Sequence, residues 1–410
     1  MPLFRPFPGV RPIPERAADI AAPPYDVLNS LEARALAKEK PWSFLHVSKP
    51  EIDLPLETDP HAPEVYAMAA RNWARLKEAG MVRQDPQPCY YVYRLTLGEH
   101  VQTGIAGAAS VTAYLINRVR RHEFTRPDKE DDRVRQIEAV NAQTGPVLLA
   151  HRPIAEVEAI VARVTEQPAA YNFTAADGIG HALWVIDGAA DLAAIQAGFE
   201  RQTALYIADG HHRSAAAARV AQARSGQGGP LAWHNSFLAV SFPIDQMRIL
   251  DYNRVVRDLA GLDLADLLAR LDADFEVKPS LVPYRPKARG RFGLYTAGRW
   301  FELVLRRQPR PGDDPVARLD VSLLTDRLLA PILKIGDLRK DSRIDFVGGK
   351  RGLDGLMKRV DSGEMAAAFA LYPTSMEDLI AVADANQVMP PKSTWFEPKL
   401  ADGMVSAPLE

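Results

Sequence analysis

Five consecutive residues, Asp209-Gly210-His211-His212-Arg213, bring together a carboxylate, a glycine, two imidazoles and a guanidinium. Upstream, Thr203 to Ala208 is a short apolar run of β-formers closed by the Asp-Gly turn signal. Downstream, Ser214 to Arg224 is alanine-rich and stops at Ser225-Gly226, which predicts a helix. The five residues therefore belong to a strand-to-helix turn. Free N–H groups and the positive end of the helix dipole suit such a turn to an anion. Gly210 lets a ligand approach the backbone, Arg213 offers a planar fork to phosphate or carboxylate, and His211 and His212 titrate near neutral pH. In the simplest alternative, Asp209 caps the helix and the histidines are exposed. A cap accounts for Asp209 and Gly210 but requires neither histidine nor Arg213.

Two further clusters carry chemistry. Arg120-Arg121-His122-Glu123-Phe124-Thr125-Arg126-Pro127-Asp128 sets a carboxylate beside a histidine and three arginines, the composition of a general base serving an anionic substrate. Charge runs of this kind also form ordinary solvated loops with surface ion pairs. Near the end, Met389 to Lys399 places Lys392, Ser393, Thr394 and Lys399 among prolines and the aromatics Trp395 and Phe396. That segment reads either as a folded-back phosphate clamp or as a strap packing its aromatics on the body. Val347 to Gly352 lacks the spacing and the hydroxyl of a phosphate loop and reads as a tight strand–helix turn. Cys89, the single cysteine, excludes an intramolecular disulfide and a cysteine metal cluster, and its flank predicts a packed thiol in a strand.

The elements that position these clusters follow from periodicity and turn chemistry. Helices are predicted over Ser30–Lys40 with Ser30 as cap, Ala62–Gly80, Ile154–Gln167, Leu192–Gln202, Leu264–Leu271, Asp320–Leu333 and Met376–Ala385. Hairpins are predicted over 88–109 and 292–305, a turn at Pro23-Pro24-Tyr25-Asp26, and strands at 147–151, 171–174, 181–186, 235–243 and 249–254. A strand–helix–strand unit is expected across 343–372. The pattern is α+β, mixed small sheets with helices, not a long doubly wound sheet. A chain of 410 residues exceeds one ordinary core. All nine histidines precede residue 235, so proton handling belongs to the N-terminal part. The expected division is an N-terminal catalytic domain, 1–255, a C-terminal α+β domain, 256–386, and a tail, 387–410, folding back on the first. Apolar content of 47% and a net charge of −2 describe a globular protein with no global field for nucleic acid or anionic membrane. The first residues do not form a signal peptide and no run reaches membrane-spanning length, so a cytoplasmic enzyme is expected.

Taken in order, Arg5-Pro6-Phe7 with Arg11-Pro12, Pro24-Tyr25-Asp26-Val27, Ser43 to Val47, His122-Glu123-Phe124-Thr125, the 208–213 turn and Met389 to Lys399 resemble the bacterial and archaeal family known as domain of unknown function 1015. The turn is also similar to that of the ParB/sulfiredoxin-like superfamily, which includes free-serine kinases. That resemblance implies a ParB/sulfiredoxin-like core with a C-terminal α/β domain, and a phosphotransferase acting on a small hydroxyl compound, foremost free L-serine. The donor would be a nucleotide or pyrophosphate, and Mg2+ the expected ion. Glu123 becomes the candidate base, with His122, Asp209 and His212 as catalytic partners. Gly210, His211, Arg213, Arg126, Lys392, Ser393, Thr394, Lys399, Tyr25 and Asp26 become candidate ligand contacts. Where that family has Tyr then Glu-Thr-Ala after the turn, this chain has Ser214-Ala215-Ala216-Ala217 and lacks the aromatic. A nucleotide-binding regulator without catalysis and a phosphoserine phosphatase are the alternatives; sulfiredoxin chemistry fails for want of a cysteine in the turn.

Overall fold

The computed structural model describes residues 1–410, and the chain divides into two compact units. The first comprises Met1–Met247 with Pro398–Glu410, and the second Arg248–Glu397. All nine histidines thus belong to the first unit. Of the tail, residues 387–397 belong to the second unit and 398–410 to the first.

Nine strands build the main sheet of the first unit: β1 (Phe4–Arg5), β2 (Tyr90–Leu97), β3 (His100–Ser110), β4 (Val119–Arg120), β5 (Val147–His151), β6 (Tyr171–Thr174), β7 (Gly180–Ile186), β8 (Leu205–Asp209) and β9 (Ser236–Pro243). Their order is β4-β8-β5-β9-β3-β2-β7-β6, with β1 added to β3. Only β4/β8 and β5/β9 run parallel. The β2/β3 hairpin turns at Gly98-Glu99, as its alternating apolar pattern and glycine require. β8 is apolar on both faces because both are covered, and its Leu205 to Ala208 are buried. Its register against β5 shifts between Ile207 and Asp209. A bulge at that point re-aims the end of the strand, just where Asp209 leaves the sheet.

The helix after β8 starts earlier than its alanines indicate. It spans His211–Ala223, so both histidines and Arg213 lie in its first turn. Gly210 is the N-cap, in the left-handed region at φ 98°, and no side chain caps the helix; Asp209 therefore does not act as a conventional cap. The alanine face lets this helix sit close to helix Pro127–Val140, where Ala216 and Val220 pack on Ile137 together with Leu409. Helix Pro127–Val140 lies inside the charged run and was not predicted. Its buried stripe is Asp132, Gln136, Ile137 and Val140, and paired polar side chains on that stripe hide the apolar periodicity. Helix Ser30–Ala37 is capped by Asn29, not Ser30, through a reciprocal bond with Glu32. The C-terminal segment is integral to this unit. Ala22 and Asp402 bridge, Val10 bridges Ser406, and Ala407–Pro408 pairs with Ala142–Gln143.

The second unit holds a six-stranded, wholly antiparallel sheet: β10 (Tyr252–Val256), β11 (Phe275–Ser280), β12 (Arg291–Thr296), β13 (Arg299–Leu305), β14 (Ile344–Gly348) and β15 (Ala367–Ala370), in the order β11-β13-β12-β15-β10-β14. The β12/β13 turn uses Ala297 and Gly298, both at positive φ. β14, helix Gly352–Asp361 and β15 form the expected strand–helix–strand unit, with β10 inserted between the two strands. The predicted strand 249–254 is interrupted at Asp251, and the predicted helix 320–333 is α-helical only to Leu324 before widening into a π turn. The whole chain is an α+β fold.

Candidate active site at the Asp209–Arg213 turn

Four separate segments of the first unit converge on the helix start: the Tyr25–Val27 turn, the 122–126 loop, the 144–147 approach to β5, and the C-terminal segment from Lys399. Asp209 is the junction. Its Oδ1 accepts from the Gly210 N–H at 3.0 Å, and its Oδ2 accepts from Lys399 Nζ at 3.1 Å. Burial would raise the Asp209 carboxyl, but the Lys399 and Arg213 cations overcome it and hold the acid well below the usual range.

Arg213 is not the surface residue that a first-turn arginine would ordinarily be. It is 8% exposed. Its Nη1 donates to the Pro146 carbonyl, and its Nη2 lies 3.5 Å from Asp26 and 3.6 Å from Asp209. Burial opposes its charge, yet Asp26 and Asp209 raise it above the ordinary arginine value. Gly210 makes room for it: a Cβ there would stand 3.2 Å from Arg213 Nε and 3.3 Å from Val147 Cα.

On the other side of the turn, His211 Nε2 accepts from the His122 N–H at 3.4 Å, and the two rings meet edge to face at 4.5 Å. An accepting Nε2 leaves the proton of a neutral imidazole on Nδ1, which faces Glu123 Oε2 at 3.9 Å. Burial drives both histidines down, His122 to about 4 and His211 well below its ordinary value. They are neutral at physiological pH. His122, Glu123 and His211 together could hold a metal ion, but this tautomer of His211 suits a hydrogen-bonded dyad better than a ligand. His212 Nε2 accepts from the Arg126 N–H at 3.1 Å, whereas the Arg126 guanidinium points away to Asp128 in solvent. Burial also lowers His212, against the pull of Glu130 and Asp26.

Tyr25 lies under the guanidinium of Arg133 at 3.8 Å, and burial pushes its phenol up to about 12. The site thus gathers Tyr25, Asp26, His122, Glu123, Asp209 to Arg213 and Lys399, with Arg126 present through its backbone. Lys392, Ser393 and Thr394 belong to the second unit. There Lys392 Nζ stands 5.8 Å from the Tyr252 ring, and Ser393 donates to the Pro390 carbonyl at 2.6 Å while its own carbonyl accepts from Thr374.

Sequence reasoning missed Asp402, Arg133, Ser48 and Gly145. Asp402-Gly403 is a turn signal, and Gly403 at φ 84° packs against the Phe44 ring. Nothing in the sequence ties that turn to a histidine pair nearly two hundred residues earlier. Cys89, buried and raised to about 11 by burial, is inert.

The chain is similar to several solved structures at low identity. They include a free serine kinase in complex with AMP (14% identity, 72% of this chain and 86% of that one, TM-score 0.34). A conserved hypothetical protein from Pyrococcus furiosus shows 16% identity over 75% and 96%, TM-score 0.34. Staphylococcus aureus SbnI with a C-terminal truncation shows 10% over 74% and 87%, TM-score 0.38. No curated protein matches the chain. No helix is long and apolar enough to cross a membrane. The stretch from Phe4 through Ser322 that carries the 122–126 loop and the 209–213 turn matches a family model throughout, and the chain belongs to the family described as protein of unknown function (DUF1015).

Proposed function

We propose that this protein is a small-molecule phosphotransferase whose phosphate site is the Asp209–Arg213 turn, with free L-serine the leading acceptor. The observation that carries the reading is a helix start with no side-chain cap, bordered by a half-exposed carboxylate, Glu123, and a buried neutral histidine, His211. Uncapped N–H groups are a ready anion site, and a carboxylate beside an imidazole can take a hydroxyl proton. Glu123 accepts that proton as the acceptor oxygen bonds to phosphorus and the bridging oxygen of the donor leaves. Arg213 contributes charge from behind the turn, where it is held by Asp26 and Asp209. Asp26 and Asp209 are committed to Arg213 and Lys399. The expected magnesium ion therefore fits as one carried on donor phosphates, neutralising them, and not as one caged by protein carboxylates.

The test is to incubate the protein with serine, magnesium and, separately, ATP, ADP and pyrophosphate, and to read phosphoserine by mass spectrometry. Phosphoserine with any donor supports the reading, and none with all three ends the serine version. Phosphate release from phosphoserine alone would identify the phosphatase instead. Tight binding of AMP or ADP by calorimetry without turnover of any acceptor would identify the nucleotide-binding regulator.

A further inference from the structure

Behind the turn, within the first unit, lies a cavity of about 30 Å³, lined by Asp402, Arg213, Ser48, Thr144, Tyr25 and Arg133 among others. That is room for roughly two water molecules. Three side-chain atoms around it have no hydrogen-bond partner: Asp402 Oδ1, Arg213 Nε and Ser48 Oγ. Their residues are 1%, 8% and 4% exposed. Buried polar atoms are nearly always satisfied, and one acceptor, one donor and one hydroxyl around a water-sized space are the complement that bridging water meets. Gly145 keeps the carboxyl and the guanidinium facing each other. A Cβ on it would lie 3.2 Å from Asp402 Oδ1 and 3.4 Å from Arg213 Cδ.

We propose that Asp402 is a positioning residue for Arg213: across this cavity its carboxylate competes for the guanidinium, and anion binding at the turn is linked to uptake of a proton by Asp402. The inference rests on the phosphate reading of the turn for its anion arm only. Several charged or titratable groups face Asp402. They are Arg213 from the turn, Tyr25 and Asp26 from the Tyr25–Val27 turn, Arg133 from helix Pro127–Val140, and Tyr93 from β2. Burial raises the Asp402 carboxyl to about 7, with Arg213 and Arg133 pulling it down and Asp26 pushing it up. Burial shifts His211 and His212 down from their ordinary value, the direction opposite to the shift of Asp402.

Two measurements on the full-length protein test this. Inorganic sulfate, which does not titrate in this range, is the anion probe. Its affinity should fall as pH rises from 6 to 8, by about tenfold if binding moves the Asp402 titration by one pH unit. Asp402→Asn should abolish that dependence and keep the tighter affinity throughout. Separately, ¹³C-aspartate labelling should reveal two carboxyls titrating near neutrality, since burial raises Asp320 to about 7 as well; one of the two should be absent in Asp402→Asn and moved to higher pH in Arg213→Gln. An unchanged sulfate profile in Asp402→Asn, or an Asp402 carboxyl unmoved by Arg213→Gln, overturns the coupling. Absence of sulfate binding at every pH removes the phosphate reading of the turn, while the carboxyl titration still decides the Asp402–Arg213 pairing.

Discussion

At the scale of single residues, the turn is an economy of charge compensation in which each cation already holds a carboxylate. Removing Arg213 leaves Asp209 and Asp26 with the Lys399 cation alone. We expect Arg213→Ala to cost about 1–3 kcal/mol of stability, the penalty for unsatisfying a buried partner, and to weaken nucleotide binding as well. Urea denaturation and calorimetry on the same variant separate the two effects. A surface-arginine picture predicts no loss of stability, and the burial of the side chain is what overturns it. Glu123→Gln removes the proton acceptor while keeping shape. Transfer to serine should fall by about 10²–10⁴ with nucleotide affinity retained; an active variant would move the base elsewhere. Gly210→Ala meets both the positive φ and the Arg213 and Val147 contacts. Strain of this kind costs about 1–3 kcal/mol, and a variant as stable as the parent in urea would mean that the turn relaxes freely.

At the scale of elements, the informative one is the C-terminal segment. Removing residues 404–410 deletes the pairing of Val10 with Ser406 and of Ala407–Pro408 with Ala142–Gln143. It also exposes the seats of Met404, Val405 and Leu409, all buried. Each such side chain is worth about 1.5–3 kcal/mol, so the truncated chain should unfold well below the parent's melting temperature even though Lys399 and Asp402 remain. An unchanged melting temperature would show the segment to be dispensable for packing. The segment that the sequence offers as either clamp or strap is divided between the two units. Trp395 and Phe396 belong to the second unit, where β-pairing joins them to Ile249–Leu250. Lys399 engages Asp209 in the first.

At the scale of the whole molecule, the distribution of histidines makes acid stability uneven. His122, His151 and His181 are buried in the first unit and lowered by burial to about 4, 3 and 4. A histidine depressed in the folded state contributes stability that is complete above its unfolded value near 6.5 and is lost as pH falls toward the folded value. The loss is about 1.4 kcal/mol per pH unit for each such residue. Asp402 acts with the opposite sign, since an acid raised to about 7 favours the folded state increasingly as pH drops from 7 toward 4. Three histidines outweigh one aspartate. Hydrogen exchange at pH 7.5, 6 and 5 should therefore show the first unit opening before the second, which contains no histidine; equal loss of protection in both units would refute this.

Much of this architecture was legible without coordinates because it rests on local rules. The Leu264–Leu271 helix, the two hairpins with their glycine turns and the β8 strand all follow from periodicity and turn chemistry, and they stand where those rules put them. The Asp209–Arg213 turn is legible for the same reason, since an Asp-Gly between a strand and an alanine run admits few conformations. Tertiary structure decided the rest. Helix Pro127–Val140 is masked by charges whose partners are met only in the fold, such as Asp132 with Tyr66 and His61. The start of the turn helix was displaced to His211 because β8 and Gly210 aim the chain directly into it. Burial turned Arg213 from a solvent-facing fork into a compensated internal cation. Asp402 reaches Arg213 only because the chain's last strand returns to Ala142–Gln143. No local rule carries that information, for a contact across nearly two hundred residues is set by which surfaces must be buried together, and not by the propensities of either segment.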